Sequence, residues 1–97
     1  MFESTAIIET ERASNYLQQL CKHFGHKVPV HFDPQSGQIE LPFGRCELAA
    51  EGDRLNLTVK ATSQPELTKA RDVIASHLER FAFRENPNVV WQAATAE

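Results

Sequence analysis

The densest group of reactive side chains in the sequence lies between residues 20 and 32, in the segment LCKHFGHKVPVHF. Cys21, His23 and His26 form a C-x-H-x2-H pattern there, and thiolate and imidazole are ligands that zinc prefers. On a helix, however, His23 lies about 200° around the axis from Cys21, and His26 follows Gly25, where we expect the helix to end. We therefore keep these three residues as weak metal-ligand candidates and predict no bound metal.

A more promising pair combines His23 with His77. Each histidine lies at the flank of the apolar stripe of a predicted helix, so two helices side by side on one sheet would bring the two flanks together. The resulting groove would have Tyr16 and Arg80 nearby. A histidine pair at low dielectric could bind a ligand or act as acid and base. The commoner alternative is that each imidazole satisfies a backbone carbonyl at the edge of the core.

Motifs for other chemistries are absent from the sequence. It contains no G-x-S-x-G turn for a nucleophilic serine, and neither of the glycine-rich loops that cradle nucleotide phosphates. We therefore predict no cofactor. The formal net charge is −3, which provides no basic stripe to replace the counterions of nucleic acid, so we expect no nucleic-acid partner.

Length and composition indicate one soluble domain. The chain has 97 residues, of which 41% are hydrophobic and 24% charged, as is typical of a globular protein. We predict a single domain over residues 1–97, with its core between about 4 and 92 and a frayed tail over 93–97. The first residues do not resemble a signal peptide, and no apolar run is long enough for a membrane span. We therefore expect a cytoplasmic protein with both cysteines reduced and no membrane partner.

The elements that must position the histidines follow from hydrophobic periodicity. Apolar residues recur at helical spacing over residues 11–24 and 63–84, and alternate with polar residues in shorter segments between turns. We expect Thr10 to cap the first helix, Gly25 to end it in the left-handed conformation, and Ser63 with Glu66 to form a capping box on the second. The predicted strands cover residues 4–9, 28–32, 38–43, 45–50, 54–61 and 88–92.

This order predicts an α+β fold. Two amphipathic helices would cover one face of a largely antiparallel six-stranded sheet, giving a two-layer sandwich with the order strand, helix, four strands, helix, strand. If the first two strands paired in parallel, the connection through the first helix would be right-handed. A sheet of this size has edges that need protection, so we expect a homodimer.

Three segments resemble a small family of bacterial proteins. LCKHFGHKVPV, IELPFGRCEL and VIASHLERFAFRE are similar to domain of unknown function family 2218, and the similarity runs from the first strand to Trp91. In that family the domain also occurs joined to siderophore-interacting flavin reductases, so the resemblance implies an association with iron acquisition but no established activity. The family pattern points to Lys22, His23, Phe24, Lys27, His77, Arg80 and Phe81.

Two functional hypotheses follow. The first is an accessory domain without catalysis of its own that binds an unknown small molecule or protein partner and is associated with iron or siderophore handling. Its ligand-binding candidates are His23, His77, Tyr16, Arg80, Lys22 and Lys27. The alternative is a small metal-dependent or acid/base enzyme that uses His23 and His77.

Overall fold

The computed structural model describes residues 2–80, 91 and 92, together with the backbone of residues 81, 95 and 96. Its elements follow the predicted order of strand, helix, four strands, helix and strand. They are β1 (Phe2–Glu9), α1 (Ala13–Phe24), β2 (Val30–Phe32), β3 (Ser36–Leu41), β4 (Gly44–Glu51), β5 (Arg54–Ala61), α2 (Gln64–Phe81) and β6 (Thr95–Ala96).

The sheet is antiparallel throughout the described strands, which confirms the α+β class. Its strand order is β2-β3-β4-β5-β1-β6, with β6 contributing two residues at one edge. β1 pairs with β5 along its whole length, from Phe2 opposite Ala61 to Glu9 opposite Arg54. The considered parallel pairing of the first two strands is therefore wrong, because β1 and β2 lie on opposite sides of the β3–β5 meander.

Of the expected last strand at 88–92, the structure describes only residues 91 and 92. Residues 82–90 lie outside the described part of the chain, and so does the predicted end of the second helix at 84. Trp91 forms an isolated antiparallel bridge with Ala6, and the Gln92 amide donates to the Thr5 carbonyl at 2.7 Å. β6 then pairs with Phe2 and Glu3, within the segment that we expected to be a tail.

Both ends of α1 differ from the sequence expectation. The helix begins at Ala13 with Arg12 as its N-cap and no side-chain capping bond, and the Thr10 hydroxyl instead accepts from the Arg12 amide at 3.0 Å. Gly25 ends the helix in a right-handed conformation, with φ −61°. A Cβ there would lie 3.1 Å from the Cys21 carbonyl oxygen and 3.1 Å from Val30 Cγ2. Close approach of β2, rather than a left-handed φ, is therefore the reason for a glycine.

The start of α2 agrees with the predicted capping box. The Glu66 amide donates to the Ser63 hydroxyl oxygen at 3.3 Å, which satisfies one of the unpaired amides of the first turn. The Glu66 carboxylate accepts from the hydroxyls of Ser63 at 3.0 Å and Thr62 at 2.8 Å. These bonds hold the pKa of Glu66 below its usual value, the Thr62 bond contributing most.

The helices and the sheet share one hydrophobic core. The residues with essentially no exposed surface include Leu17, Leu20, Leu57, Ile74 and Leu78, and both helices contact several strands. In β5 the buried residues alternate with more exposed ones, as a sheet covered on one face requires. The full two-layer arrangement stays a prediction. No helix among the described residues is long and apolar enough to cross a membrane.

Oppositely charged side chains pair across neighbouring strands of the sheet. Glu40 and Arg45, opposite each other on β3 and β4, form an ion pair at 2.9 Å, and Lys60 lies 3.7 Å from Glu47. The sheet edges are short, since β2 has three residues and β6 has two. Short edge strands expose few unpaired backbone groups, and the homodimer stays a prediction.

Candidate functional site

The imidazole rings of His23 and His77 lie side by side. His23 is in the last turn of α1 and His77 is near the C-terminal end of α2, where the two helices contact each other. The ring centroids are 4.7 Å apart and the ring planes are inclined at 47°. His23 and His77 thus meet between the two helices, as their positions on the helical faces predicted. A binding role for the pair stays a prediction.

Phe24 completes the aromatic cluster. Its ring centroid lies 4.9 Å from that of His77 and 5.5 Å from that of His23, in an edge-to-face arrangement with His23. Phe24 is buried, because it belongs to the apolar stripe of α1. The two imidazoles therefore rest against a fixed aromatic surface at the margin of the core, and Phe24 limits how far either ring can move.

A backbone hydrogen bond identifies the nitrogen of His77 that carries a proton. Its Nδ1 lies 2.7 Å from the carbonyl oxygen of Val73, one turn earlier in α2. A carbonyl can only accept, so Nδ1 carries the proton and donates it. In the neutral ring Nε2 is then the unprotonated nitrogen, with a lone pair that can accept a hydrogen bond. For His77, this bond is the contact with a backbone carbonyl that we named as the commoner role of such a histidine. The same bond also orients the ring.

The two histidines open onto a cavity of about 240 Å³, which we call the histidine groove. Its lining is mostly apolar, apart from the two imidazoles and the Lys27 ammonium. The described residues that line it are His23, Phe24, Lys27, Val28, Leu41, Phe43, Val73 and His77. None of these lining residues is acidic. The groove therefore combines an apolar lining with a few positive or proton-accepting groups.

The surroundings of His23 favour its neutral form. Partial loss of hydration lowers the pKa of His23 below its ordinary value, and the positive charges of His77, Lys27, His26 and Arg80 lower it further. All four of these neighbours are cationic or can become so. An anion placed among them would offset the repulsion and make protonation of His23 easier.

The six predicted ligand-binding residues do not all reach the groove. His23, His77 and Lys27 line it, and Arg80 is exposed but close enough to influence the charge of His23. Tyr16 is buried in the core and Lys22 is exposed on α1; neither lines the groove. Tyr16 was placed there because it shares the flank of His23, but two turns earlier that flank faces the core.

Cys21 does not join the neighbouring histidines. Its side chain is fully buried and its sulfur faces Gly37 of β3, whereas His23 and His26 are exposed. Burial raises the pKa of the Cys21 thiol to about 11. Among the residues that the structure describes, no group of three histidine, cysteine or acidic side chains is placed to hold a metal ion. The three residues of the C-x-H-x2-H pattern therefore lie in separate environments.

The sequence did not identify the opposite wall of the groove. Leu41 and Phe43, at the turn between β3 and β4, line it together with Val28. Their alternation with Glu40 and Pro42 indicated only that they share a sheet face. The sequence otherwise indicated only that Leu41 and Phe43 lie at the end of a strand. The strand order and the helix packing are needed to place this strand end beside the histidines.

Comparison with known proteins gives a family and a related fold. The family described as an uncharacterized protein conserved in bacteria (DUF2218) matches residues 5–92. Among solved structures, the NMR structure of PA4090 from Pseudomonas aeruginosa is 36% identical to this chain, with a TM-score of 0.84. The alignment covers 99% of this chain and all of that one. No curated protein matches the sequence.

Proposed function

The chain belongs to the bacterial family DUF2218, and we propose that it is a binding domain whose histidine groove takes a small organic anion with an apolar body. The observation that carries this proposal is the pairing of the His23 and His77 rings, 4.7 Å apart, in the lining of a mostly apolar groove. Ligand sites typically combine a largely apolar lining with a few convergent polar groups.

The charges around the groove select an anion. Lys27 lines the groove, Arg80 and His26 act on His23 from nearby, and the described lining residues include no carboxylate. Opposite charges about 4 Å apart attract by about 1 kcal/mol even at the dielectric constant of water. A carboxylate would therefore bind more tightly than a neutral group of the same shape, and an ammonium group would bind less tightly.

The apolar lining favours a ligand whose apolar part is small. Phe24, Leu41, Phe43 and Val73 surround about 240 Å³, below the roughly 300–1,000 Å³ of sites for drug-sized ligands. A benzene ring or a short alkyl chain matches this size and would contact Phe24. The carboxylate then meets His23 and Lys27, while Nε2 of His77 can accept a hydrogen bond from a hydroxyl on the ligand.

Three probes of one shape test this proposal. Benzoate, benzamide and benzylamine differ in charge but hardly in size, and isothermal titration calorimetry at pH 7 measures their affinities. We expect benzoate to bind about five- to tenfold more tightly than benzamide, and benzylamine to bind most weakly. Equal affinities for all three, or no binding of benzoate at millimolar concentration, would reject an anion site.

Matched variants locate the binding. Lys27 lines the groove and Lys22 does not, although both are exposed lysines at the same end of α1. Lys27→Met should lower the affinity for benzoate severalfold and leave that for benzamide unchanged, whereas Lys22→Met should change neither. If both variants lowered benzoate binding equally, the effect would come from net charge and not from the groove.

Acid/base chemistry is a second candidate function. Its supporting observation is the hydrogen bond from His77 Nδ1 to Val73, because a base oriented through one nitrogen can accept a proton on the other. Hydrolysis of p-nitrophenyl acetate reports imidazole reactivity. A rate above that of free imidazole at the same concentration, lost in His77→Gln and kept in His26→Gln, would support this candidate. A rate no higher than that of free imidazole rejects it.

The setting of this binding function is also a proposal. We place the domain in the bacterial cytoplasm, where it would act as an accessory to iron or siderophore handling. The volume of the groove supports one aromatic acid arm of a chelator as ligand, rather than a whole ferric complex. Dihydroxybenzoate should then bind more tightly than benzoate, because its hydroxyl can donate to His77. Equal binding of the two acids would remove the support for a chelator arm.

A further inference from the structure

A second cavity lies on the other side of the turn between β3 and β4. It has a volume of about 340 Å³, and Leu41 and Phe43 line it as well as the histidine groove. Lys60, Thr62 and Glu66 also line it. We call this cavity the turn compartment. The two cavities are therefore neighbours that share the same two apolar residues.

We infer that the histidine groove and the turn compartment are two halves of one site, which takes an elongated carboxylic acid with a neutral polar group at its far end. This inference rests on the proposed function, because it places the carboxylate at His23 and Lys27. It adds the length of the ligand and the chemistry of its other end. The apolar chain would pass over Leu41 and Phe43.

The charges of the turn compartment are already compensated. Arg45 pairs with Glu40 at 2.9 Å, and the Glu66 carboxylate accepts hydrogen bonds from the hydroxyls of Thr62 and Ser63. Lys60 lies 3.7 Å from Glu47. The lining carries two cations, Arg45 and Lys60, and two carboxylates, Glu40 and Glu66, so its formal charges cancel while it still offers hydrogen-bond donors and acceptors. A hydroxyl or amide fits this surface better than a second carboxylate or an ammonium group.

The backbone of the turn has a fixed position. A Cβ on Gly44 would lie 2.5 Å from the Lys60 carbonyl oxygen, so β4 begins in direct contact with β5 at a point where only glycine fits. The side chains of Leu41 and Phe43 are half-buried and pack at the margin of the core. Passage between the cavities thus depends on rotamers of these two side chains, which exchange far faster than a turn rearranges.

Three aliphatic acids test the inference by amide and imidazole chemical shifts in solution. Hexanoate should shift the resonances of His23 and His77 without affecting Lys60 and Thr62. Decanoate and ω-hydroxydecanoate should shift both sets. Because each additional buried methylene strengthens binding, we expect ω-hydroxydecanoate to bind at least about tenfold more tightly than hexanoate, and more tightly than decanoate because its hydroxyl finds partners in the turn compartment.

A matched pair of variants supports the mapping. Thr62→Trp fills the turn compartment and should abolish the advantage of ω-hydroxydecanoate, with hexanoate binding unchanged. Thr68→Trp places the same side chain on an exposed part of α2 that lines neither cavity, and should preserve the advantage. The wild-type shift mapping decides the question even if Thr62→Trp fails to fold.

The outcomes separate the two proposals. If hexanoate shifts the histidines but ω-hydroxydecanoate binds no more tightly and leaves Lys60 and Thr62 unshifted, the two-part site is wrong and the anion groove stands. If no acid shifts His23 or His77, the proposed function fails and the inference fails with it. Shifts at Lys60 and Thr62 without shifts at the histidines would also overturn the inference.

Discussion

The sulfur of Cys21 lies so close to Gly37 that a Cβ on Gly37 would come within 2.8 Å of it. Helix α1 therefore approaches β3 at a point where both partners are small. The same Cβ would also meet Leu17 Cδ2 and Phe32 Cβ at 3.3 Å. This contact explains why Cys21, in the densest cluster of reactive residues, behaves as a packing residue.

Gly37→Ala should destabilise the protein through this contact. Overpacking of a core costs about 1–3 kcal/mol, and chemical denaturation measures the loss. Cys21→Ala removes the clashing sulfur, so the double variant should lose less than the sum of the two single losses. Cys46 faces Ile39 across the ladder, two residues along from Gly37, and serves as the control. Gly37→Ala with Cys46→Ala should be additive, and additivity of both pairs would contradict the close contact.

Both cysteines should be unreactive in the folded protein. Burial raises the pKa of Cys21 to about 11 and that of Cys46 further still. At pH 8 the thiolate fraction of Cys21 is then about a hundredfold lower than in an unfolded chain. Labelling with a thiol reagent should be slower by at least that factor in buffer than in concentrated urea. Rapid labelling of one thiol in buffer would mean that Cys21 is accessible and would reopen the metal interpretation.

His23 should make the folded state less stable as the pH falls. Its pKa is below the ordinary value in the folded protein, while the unfolded chain has a pKa of about 6.5. As the pH falls through 6.5 and then through the folded-state pKa, the unfolded state gains protons first, so the free energy of unfolding decreases. Above about pH 7.5 His23 has no such effect.

His23→Gln isolates this contribution. The variant should lose less stability than the wild type between pH 7.5 and pH 5, as measured by urea denaturation at several pH values. His31→Gln, which alters another exposed histidine away from the groove, provides the comparison. Identical pH profiles for the wild type and His23→Gln would contradict the cationic surroundings of His23.

Local patterns predicted the elements of this fold and the meeting of the two histidines. Helical periodicity places His23 and His77 on the flanks of their stripes, and two helices that cover one sheet must bring flanks together. The capping box of Ser63 and Glu66 is equally local. Such features depend on residues close in sequence, so they can be inferred from one chain.

Contacts between distant segments were the part that sequence could not supply. The position of β1 beside β5 depends on the pairing of the whole sheet. Gly25 is needed because Val30 lies close to it, and its backbone is right-handed rather than left-handed. Likewise, Leu41 and Phe43 form the groove wall only after β3 and α2 have packed. We expected Tyr16 near the groove, but it lies in the core. Without the partner helix, the sequence does not show which part of the α1 flank is buried.

The titration of His23 with and without ligand shows whether an anion binds at the histidine pair. Imidazole resonances, followed by NMR between pH 4 and pH 9, give the pKa of His23 with no ligand, with saturating benzoate and with benzamide. We expect benzoate to raise the pKa of His23, because the carboxylate stabilises the imidazolium among its positive neighbours, and benzamide to leave that pKa nearly unchanged. A His23 pKa that is the same in all three titrations would contradict an anion site at the histidine pair.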